Sequence, residues 1–277
     1  MTNNSAPPDR YALVGHPVDH SRSPFIHTLF ARQTGQRLRY ELIDAAPAGF
    51  ETAVRGFGAA GGRGMNVTVP HKEAAFALVD EASDVARIAG AVNTITIERN
   101  RLRGDNTDGV GFVRDVTVNH GYDLAGRSVV LFGAGGAARG IVGPLLAEKP
   151  AKLVIANRSR QRAVELAAHF GDPPEIEVVE FDGLRGLPAF DMLVNASAAG
   201  LKGEATPFPG SLVGPDSFCY DMVYSRNDTP FLAWAREHGA GHAAQGWGML
   251  VEQAAESFRI WRGVMPVTAP ILRELLR

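Results

Sequence analysis

The sequence has 277 residues, 45% hydrophobic and 21% charged, a globular composition that excludes a disordered or fibrous chain. A net charge of -2 excludes a general attraction to nucleic acid or anionic membrane, and a single cysteine, Cys219, excludes an internal disulfide and a cysteine-rich metal site. No apolar run approaches the roughly 20 residues of a membrane-spanning helix, and the polar, proline-rich N-terminus indicates a frayed tail rather than a secretory signal, so we expect a soluble, cytoplasmic, two-domain protein.

The first hundred residues alternate between strand and helix patterns. An apolar strand beginning at Tyr11 (YALVG) leads into a polar loop closed by Pro24 and then into an amphipathic helix (FIHTLFARQTG). The alternation continues through LRYELIDA, the stretch from Phe50 to Phe57, GRGMNVTVP and HKEAAFALVDEAS. The polar ERN turn within AVNTITIERNRLRGDNTD indicates a β-hairpin. These patterns predict an α/β domain, which the chain leaves through a helix at GVGFVRDVTVNHG.

From Arg127 onward the pattern is typical of a parallel, doubly wound sheet. The buried strand RSVVLF runs into a glycine turn that opens a helix, GAGGAARGIVGPLLAEK. Further strands are predicted at KLVIANRS, IEVVEF, FDMLVNAS and SFCYDMVY, with a helix at RQRAVELAAHF. Three helices close the chain, FLAWAREHG, MLVEQAAESFRIWRG and APILRELLR, with Gly239 and Gly263 as stop signals.

The glycine turn matches a dinucleotide-binding fingerprint. Gly133, Gly135 and Ala138 fit the pattern G-x-G-x-x-G/A between a strand and a helix, the context that this pattern requires. The first glycine permits a tight turn, the second lets the backbone approach a pyrophosphate, and the small third residue allows close helix packing. The N-terminus of the helix then faces the anion, so we predict a dinucleotide here.

The end of the next strand favours NADP over NAD. Most NAD-binding domains place Asp or Glu there, to bind the ribose hydroxyls. This chain has Asn157, Arg158 and Ser159 instead, followed by Arg162 one turn into the helix. A carboxylate would repel a 2′-phosphate, whereas arginines, a hydroxyl and a helix N-terminus would bind it with charge-assisted hydrogen bonds. Arg160, by contrast, is expected on the solvated helix face.

Three polar clusters in the first domain follow predicted strand ends, where ligand-binding groups gather in α/β folds. They are SRSP with Ser21 and Ser23, NVTVPHK with Asn66, Thr68 and Lys72, and AVNT followed by DNTDG, with Asn93 and Asp108. A secondary alcohol that loses a hydride must also lose its hydroxyl proton, which requires an acid/base group within hydrogen-bond reach. Lys72, oriented by Asp108, is the candidate for this role.

Taken together, these motifs resemble those of the shikimate dehydrogenase family. HSRSP, NVTVPHK, AVNT, GDNTDGVG, GAGGAAR, NRS, CYDMVY and GMLVEQAA run in family order across nearly the whole chain. The resemblance implies NADP-dependent reduction of 3-dehydroshikimate to shikimate, a step in aromatic amino acid biosynthesis, by a cytoplasmic enzyme that is often a homodimer. A metal is not required, because hydride transfer with a lysine acid is sufficient chemistry.

The resemblance also implies residue roles. Lys72 would be the acid/base, coupled to Asp108. The implied substrate contacts are Ser21, Ser23, Asn66, Thr68, Lys72, Asn93, Asp108, Tyr224 and Gln253. The implied cofactor contacts are Gly133, Ala134, Gly135, Gly136, Ala137, Asn157, Arg158, Ser159, Arg162, Met222 and Gly246. The sequence departs from the family pattern at Gln245, Trp247 and His71.

The predicted fold class is α/β, with an N-terminal α/β substrate-binding domain and a C-terminal Rossmann-type doubly wound parallel-sheet domain. The predicted divisions are the substrate domain at 1–110, a linking helix at 111–122, the NADP-binding domain at 123–240 and C-terminal helices at 241–277 that return to the substrate domain. Two alternatives stay open: a quinate/shikimate dehydrogenase that uses NAD, and a non-catalytic dinucleotide sensor. The arginines after Asn157 argue against the first, and the presence of both Lys72 and Asp108 argues against the second.

Overall fold

The computed structural model describes residues 7–99, 101–197 and 208–277, so most of the expected N-terminal tail lies outside the described residues. The chain divides into two compact units. The first runs to Thr107 and resumes at Leu250–Arg277, and the second comprises Asp108–Met249. Within the described ranges, no helix is both long and apolar enough to span a membrane.

The elements alternate along the chain as the sequence patterns predict. Those of the N-terminal part are β1 (Asp9–Gly15), α1 (Ser23–Thr34), β2 (Leu38–Asp44), α2 (Phe50–Ala59), β3 (Gly62–Val67), α3 (Lys72–Leu78), β4 (Glu81–Ala82), α4 (Asp84–Ala89), β5 (Thr94–Glu98) and β6 (Arg101–Asp105). Then follow α5 (Asp108–Arg114), β7 (Ser128–Phe132), α6 (Gly136–Ala147), β8 (Lys152–Ala156), α7 (Arg160–His169), β9 (Ile176–Val179), β10 (Met192–Asn195), β11 (Phe218–Asp221), α8 (Pro230–Glu237), β12 (His242–Gln245), α9 (Trp247–Arg262) and α10 (Thr268–Leu275).

The first unit contains a mixed six-stranded sheet in the order β2-β1-β3-β5-β6-β4. The strands β2, β1 and β3 are parallel, and β5 and β6 form the predicted antiparallel hairpin beside β3. Its register pairs Asn66 with Thr94, and Thr94 with Asp105. The end of β3, the start of β5 and the end of β6 therefore lie at one edge of the sheet, together with the polar residues that flank them.

The two C-terminal helices pack on α1. Ile26 and Phe30 from α1 form an apolar cluster with Phe258 from α9 and Ile271 from α10, and all four side chains are buried. Removing such apolar surface from water stabilises the fold by roughly 25 cal/mol per Å². The expectation that the C-terminal helices return to the first domain is confirmed.

The second unit contains an entirely parallel sheet in the order β12-β11-β10-β7-β8-β9. Read from the β9 edge in order of appearance, this is the 3-2-1-4-5-6 arrangement of the Rossmann fold, so the predicted fold class is confirmed. Along β7, Val129 and Leu131 face one core, while Val130 and Phe132 face the other. A strand covered on both faces reads as the continuous apolar run seen in the sequence.

One strand of this sheet differs from the sequence interpretation. Residues 241–277 are predicted as helices, yet β12 pairs with β11 as an additional edge strand. Its sequence, HAAQ, lacks the β-branched and aromatic residues that mark strands. Pairing with a formed neighbour therefore decides its conformation, and the second unit continues past residue 240 to Met249.

Candidate active site

The SRSP loop places two serine hydroxyls at the start of α1. The Ser21 hydroxyl donates to the Ser23 hydroxyl, and the Ser23 backbone N–H donates to Ser21 Oγ, both at 3.2 Å. Ser23 is the first residue of α1 and is buried, whereas Ser21 is half-buried. Hydroxyl donors beside a helix N-terminus can bind a carboxylate without a formal cation.

The segment after β3 carries Thr68 and Lys72. Gly15, at the end of β1, permits the close approach of this segment, because a Cβ on Gly15 would lie 2.3 Å from Thr68 Cγ2. Both Thr68 and Lys72 are half-buried, and Lys72 begins α3. The Val92 N–H donates to the Lys72 carbonyl at 2.9 Å and fixes the backbone there.

His71, a departure from the family pattern, has a structural role. Its ring is buried, stacks on Phe50 at 4.5 Å and lies with Nε2 2.7 Å from the Ala45 carbonyl oxygen. The carbonyl can only accept, so Nε2 carries the proton. His71 precedes α3 but its side chain does not cap that helix. The ring ties the start of α3 to the loop after β2.

A buried hydrogen-bond network lies at the edge where β3, β5 and β6 meet. Its members are Tyr40, Asn66, Asn93, Thr94, Thr107, Gln253 and Ser257. The Asn93 amide donates to Thr107 Oγ1 at 2.9 Å and lies 3.4 Å from Gln253 Oε1. Three predicted substrate contacts, Asn66, Asn93 and Gln253, therefore belong to one network. Asn66 and Asn93 are buried, whereas Gln253 is half-buried.

Asp108 is the first residue of α5 and is 4% exposed. A carboxylate is favoured at a helix N-terminus, where the backbone N–H groups carry partial positive charge. The next residue, Gly109, has no room for a side chain, because a Cβ would lie 2.2 Å from Pro144 Cγ. Asp108 belongs to the second unit and Lys72 to the first, so their coupling stays a prediction.

The glycine turn between β7 and α6 fits a dinucleotide pyrophosphate. Gly133 has φ +115°, and a Cβ there would lie 3.0 Å from the Ala196 backbone, so this turn requires glycine. Gly135 precedes α6, and among the described residues no atom other than those of its chain neighbours would lie within 4 Å of a Cβ on it and no side chain caps the helix. Ala138 is fully buried in the core beneath. The predicted contacts Ala134, Gly136 and Ala137 lie in the same turn, where uncapped N–H groups can bind phosphate oxygens.

The arginines after β8 are available for an anion. Arg158 and Arg162 are exposed and form no ion pair with other described residues. Asn157 donates its amide to the Ser159 carbonyl at 2.9 Å, which shapes the turn, and the Ser159 side chain does not cap α7. Arg160, at the first position of α7, is also exposed. The two guanidinium groups, the Ser159 hydroxyl and the helix N-terminus suit a 2′-phosphate.

The chain after β11 carries Met222 and Tyr224, both half-buried. Gly246 approaches this segment closely, since a Cβ on it would lie 2.5 Å from the Met222 carbonyl oxygen. Trp247, another departure from the family pattern, packs its ring against Tyr224, with centroids 4.5 Å apart. Gln245, the third departure, accepts from the Ser225 N–H at 2.6 Å and donates to the Asn227 carbonyl. Trp247 and Gln245 thus support the loop that carries the predicted contacts Met222 and Tyr224.

A buried carboxylate stabilises the loop that carries Met222 and Tyr224. Asp221, at the end of β11, accepts hydrogen bonds from the Asn195 amide and the Val223 N–H, both at 3.0 Å, and from the Thr229 hydroxyl at 2.5 Å. Burial raises the pKa of Asp221. Neither Asp221 nor Asn195 is among the sequence-predicted site residues. The signal that could have found them is that each is a polar residue inside an apolar predicted strand, SFCYDMVY and FDMLVNAS respectively.

Comparison with known proteins identifies the family. Family models match residues 13–95 as the shikimate dehydrogenase substrate binding domain, 116–202 as shikimate / quinate 5-dehydrogenase and 246–276 as the shikimate 5′-dehydrogenase C-terminal domain. A shikimate dehydrogenase (NADP(+)) from Alkalilimnicola ehrlichii is 54% identical over 96% of this chain and 98% of its own length.

Solved structures agree. The Ael1 enzyme from Pseudomonas putida superimposes with a TM-score of 0.88 and 41% identity, covering 97% of this chain and 100% of its own. Shikimate 5-dehydrogenase from Thermus thermophilus, solved with NADP(H) and shikimate, gives a TM-score of 0.83 and 33% identity, covering 96% of this chain and 97% of its own. The chain therefore belongs to the shikimate dehydrogenase family.

Proposed function

We propose that this chain catalyses the reversible, NADP-dependent reduction of 3-dehydroshikimate to shikimate. The observation that carries the proposal is the 54% sequence identity, over 96% of this chain, with a shikimate dehydrogenase (NADP(+)). The uncapped glycine turn before α6 and the exposed Arg158 and Arg162 support the choice of cofactor.

In the reduction, the carbonyl carbon of 3-dehydroshikimate gains a hydride and its oxygen gains a proton, which yields the secondary alcohol of shikimate. NADPH, when bound, supplies the hydride. Lys72 carries the proton on Nζ, donates it to the carbonyl oxygen and accepts it again in the reverse direction. Asp108 orients the Lys72 ammonium group. The half-exposed position of Lys72 at the start of α3 supports this role, because a proton donor must reach the ligand.

The remaining polar groups bind the substrate. Ser21 and Ser23 bind its carboxylate, since their hydroxyls adjoin the N-terminus of α1. Thr68, Asn93, Tyr224 and Gln253 bind its hydroxyl groups. The family resemblance also implies Asn66, whose buried amide supports these contacts through the hydrogen-bond network. Amide and phenol groups suit a polyhydroxylated ligand because each can donate or accept a hydrogen bond.

The 2′-phosphate of NADP is bound by Asn157, Arg158, Ser159 and Arg162. Gly133, Ala134, Gly135, Gly136 and Ala137 would bind the pyrophosphate through their backbone, and Met222 and Gly246 would also contact the cofactor. These assignments follow the fingerprint and the family resemblance. The proposal includes a cytoplasmic location and a homodimeric state. For a homodimer, light scattering of the purified protein should give twice the 29.6 kDa mass of one chain.

One assay tests the reaction. The purified protein is mixed with shikimate or quinate, each with NADP or NAD, and absorbance of the reduced nicotinamide is followed. Strong reduction with shikimate and NADP alone is the expected result. Activity mainly with quinate or NAD would replace the proposal by a quinate/shikimate dehydrogenase, and silence in all four mixtures would favour a non-catalytic sensor.

A further inference from the structure

A serine on α9 lies at the centre of the buried network in the first unit. Ser257 is fully buried, and its Oγ lies 2.9 Å from the Asn66 amide nitrogen, 2.8 Å from Thr94 Oγ1 and 3.0 Å from the Gln253 carbonyl oxygen. The first two partners belong to β3 and β5, whereas Gln253 is on the same helix. One hydroxyl therefore links α9 to two strands of the sheet.

Each hydrogen-bonding position of this hydroxyl faces a polar partner. A serine hydroxyl donates one hydrogen bond and accepts two. Ser257 donates to the Gln253 carbonyl, accepts from the Asn66 amide and has its second acceptor position facing the hydroxyls of Thr94 and Thr107. A buried group left without a partner is costly, so this arrangement resists rotation or sliding of α9.

Asn66 is committed to the same arrangement. Its Oδ1 accepts from the Tyr40 hydroxyl at 2.7 Å, and its amide N–H groups face Ser257 Oγ and the Asn93 carbonyl. The side chain is 4% exposed, and both ends of its amide already have partners. Asn66 is therefore better suited to holding α9 against the sheet than to binding a ligand directly.

The helix geometry connects this network to a predicted substrate contact. Gln253 and Ser257 are four residues apart on α9, and side chains at this spacing share one helix face. The Gln253 Oε1 lies near Asn93 Nδ2 and Thr107 Oγ1, while the side chain remains half-buried. Any rotation of α9 that released Ser257 would also turn Gln253 away from Asn93.

We propose that Ser257 is a positioning residue, which together with Asn66 fixes the rotation of α9 so that the Gln253 carboxamide faces the shikimate site. This role rests on the proposed function, because it takes Gln253 as a substrate contact. Ser257 itself touches no substrate. Its loss should therefore weaken shikimate binding while the hydride-transfer machinery remains intact.

The first test compares Ser257→Ala with Ser217→Ala in the full-length protein. Ser217 is also buried and hydrogen-bonded, to the Gly214 N–H and the Phe190 carbonyl, but belongs to the second unit. The two variants lose the same buried group, so they control for a general loss of stability. We expect Ser257→Ala to raise KM for shikimate about tenfold, with kcat and KM for NADP close to wild type. Ser217→Ala should leave all three constants unchanged.

A second variant keeps the test decisive if Ser257→Ala does not fold. Ser257→Cys keeps a small side chain at this fully buried position and replaces the hydroxyl by a thiol, which is only a weak hydrogen-bond donor and acceptor. It should raise KM for shikimate in the same way. In a Gln253→Ala background, neither substitution should raise KM further, because the group through which both act has already been removed.

The outcomes separate this inference from the proposed function. A wild-type protein that does not oxidise shikimate would overturn both. An active wild type, with KM for shikimate unchanged in Ser257→Ala or in Ser257→Cys, would overturn the positioning role alone. Additive increases in the Gln253→Ala background would also overturn it, since Ser257 would then act independently of Gln253.

Discussion

His27, on α1, makes the protein sensitive to acid. Its imidazole is fully buried and stacks on Tyr40, with ring centroids 4.2 Å apart and planes 8° from parallel. Phe30 and Phe258 pack around the same ring. Burial lowers the pKa of His27 to about 3, from 6.5 for an ordinary histidine, because an imidazolium ion in this apolar cluster would lose its hydration.

The direction of the effect follows from proton linkage. Between pH 6.5 and pH 3 the unfolded chain binds a proton at His27 and the folded chain does not, so acid favours unfolding. The stabilising contribution is present in full above pH 6.5 and is lost as the pH falls toward 3. From these two pKa values, the loss between pH 8 and pH 5 is about 2 kcal/mol of unfolding free energy.

The assay is urea unfolding of the wild type and His27→Phe at pH 8 and pH 5. Phenylalanine retains an aromatic ring against Tyr40 and removes the titrating group. The wild type should lose about 2 kcal/mol more than His27→Phe between the two pH values. The control is His169→Gln, which removes an exposed histidine and should behave as the wild type does. Equal losses in the wild type and His27→Phe would refute the reasoning.

Three further predictions concern the proposed reaction and the core. Lys72→Ala should lower kcat about a hundredfold to ten-thousandfold, the usual effect of losing a general acid/base. Steady-state kinetics of this variant and of Lys149→Ala, a control that removes an exposed lysine, tests this prediction. Near-normal turnover of Lys72→Ala would contradict it. Arg158→Ala should raise KM for NADP about tenfold or more and leave KM for NAD unchanged, because it removes charge-assisted hydrogen bonds to the 2′-phosphate. Arg160→Ala is the matched control, and equal effects of the two substitutions would count against the phosphate assignment. Burial raises the pKa of the Cys219 thiol to about 12, so iodoacetamide at pH 8 should modify the protein only in denaturant, as mass spectrometry would detect. Rapid modification of the folded protein would show that the thiol is accessible.

Local patterns predicted most of the fold and the cofactor turn. The strand, glycine turn and helix from Ser128 to Ala147 are contiguous, and each conformational requirement is visible at its own residue. Gly133 has the positive φ that only glycine readily adopts. In contrast, β12 has no local strand signal and depends on pairing with β11.

The network around Ser257 could not be predicted in the same way. Its hydrogen bond to Asn66 joins residues 191 positions apart in the sequence, and a serine on an amphipathic helix carries no local mark of such a contact. The sequence motifs indicated Asn66, Asn93 and Gln253 as polar residues near a ligand. Which of them meets the ligand and which supports its neighbours depends on burial, and burial is a property of the assembled sheet and helix.

Burying polar groups beside a binding site costs free energy unless each group is hydrogen-bonded, and this requirement fixes the position of the groups. An apolar contact between α9 and the sheet would tolerate small shifts of the helix, because dispersion forces are weakly directional. Hydrogen bonds are directional, and each partner lost in the interior costs about 1–3 kcal/mol. The Ser257 hydroxyl and the Asn66 amide therefore restrict α9 to one rotation. Asp221 fixes the backbone of the loop that carries Met222 and Tyr224, because its carboxylate accepts a hydrogen bond from the N–H of Val223, which lies between them. In each unit, then, the polar groups with the least access to a ligand are the ones that determine where the accessible groups point.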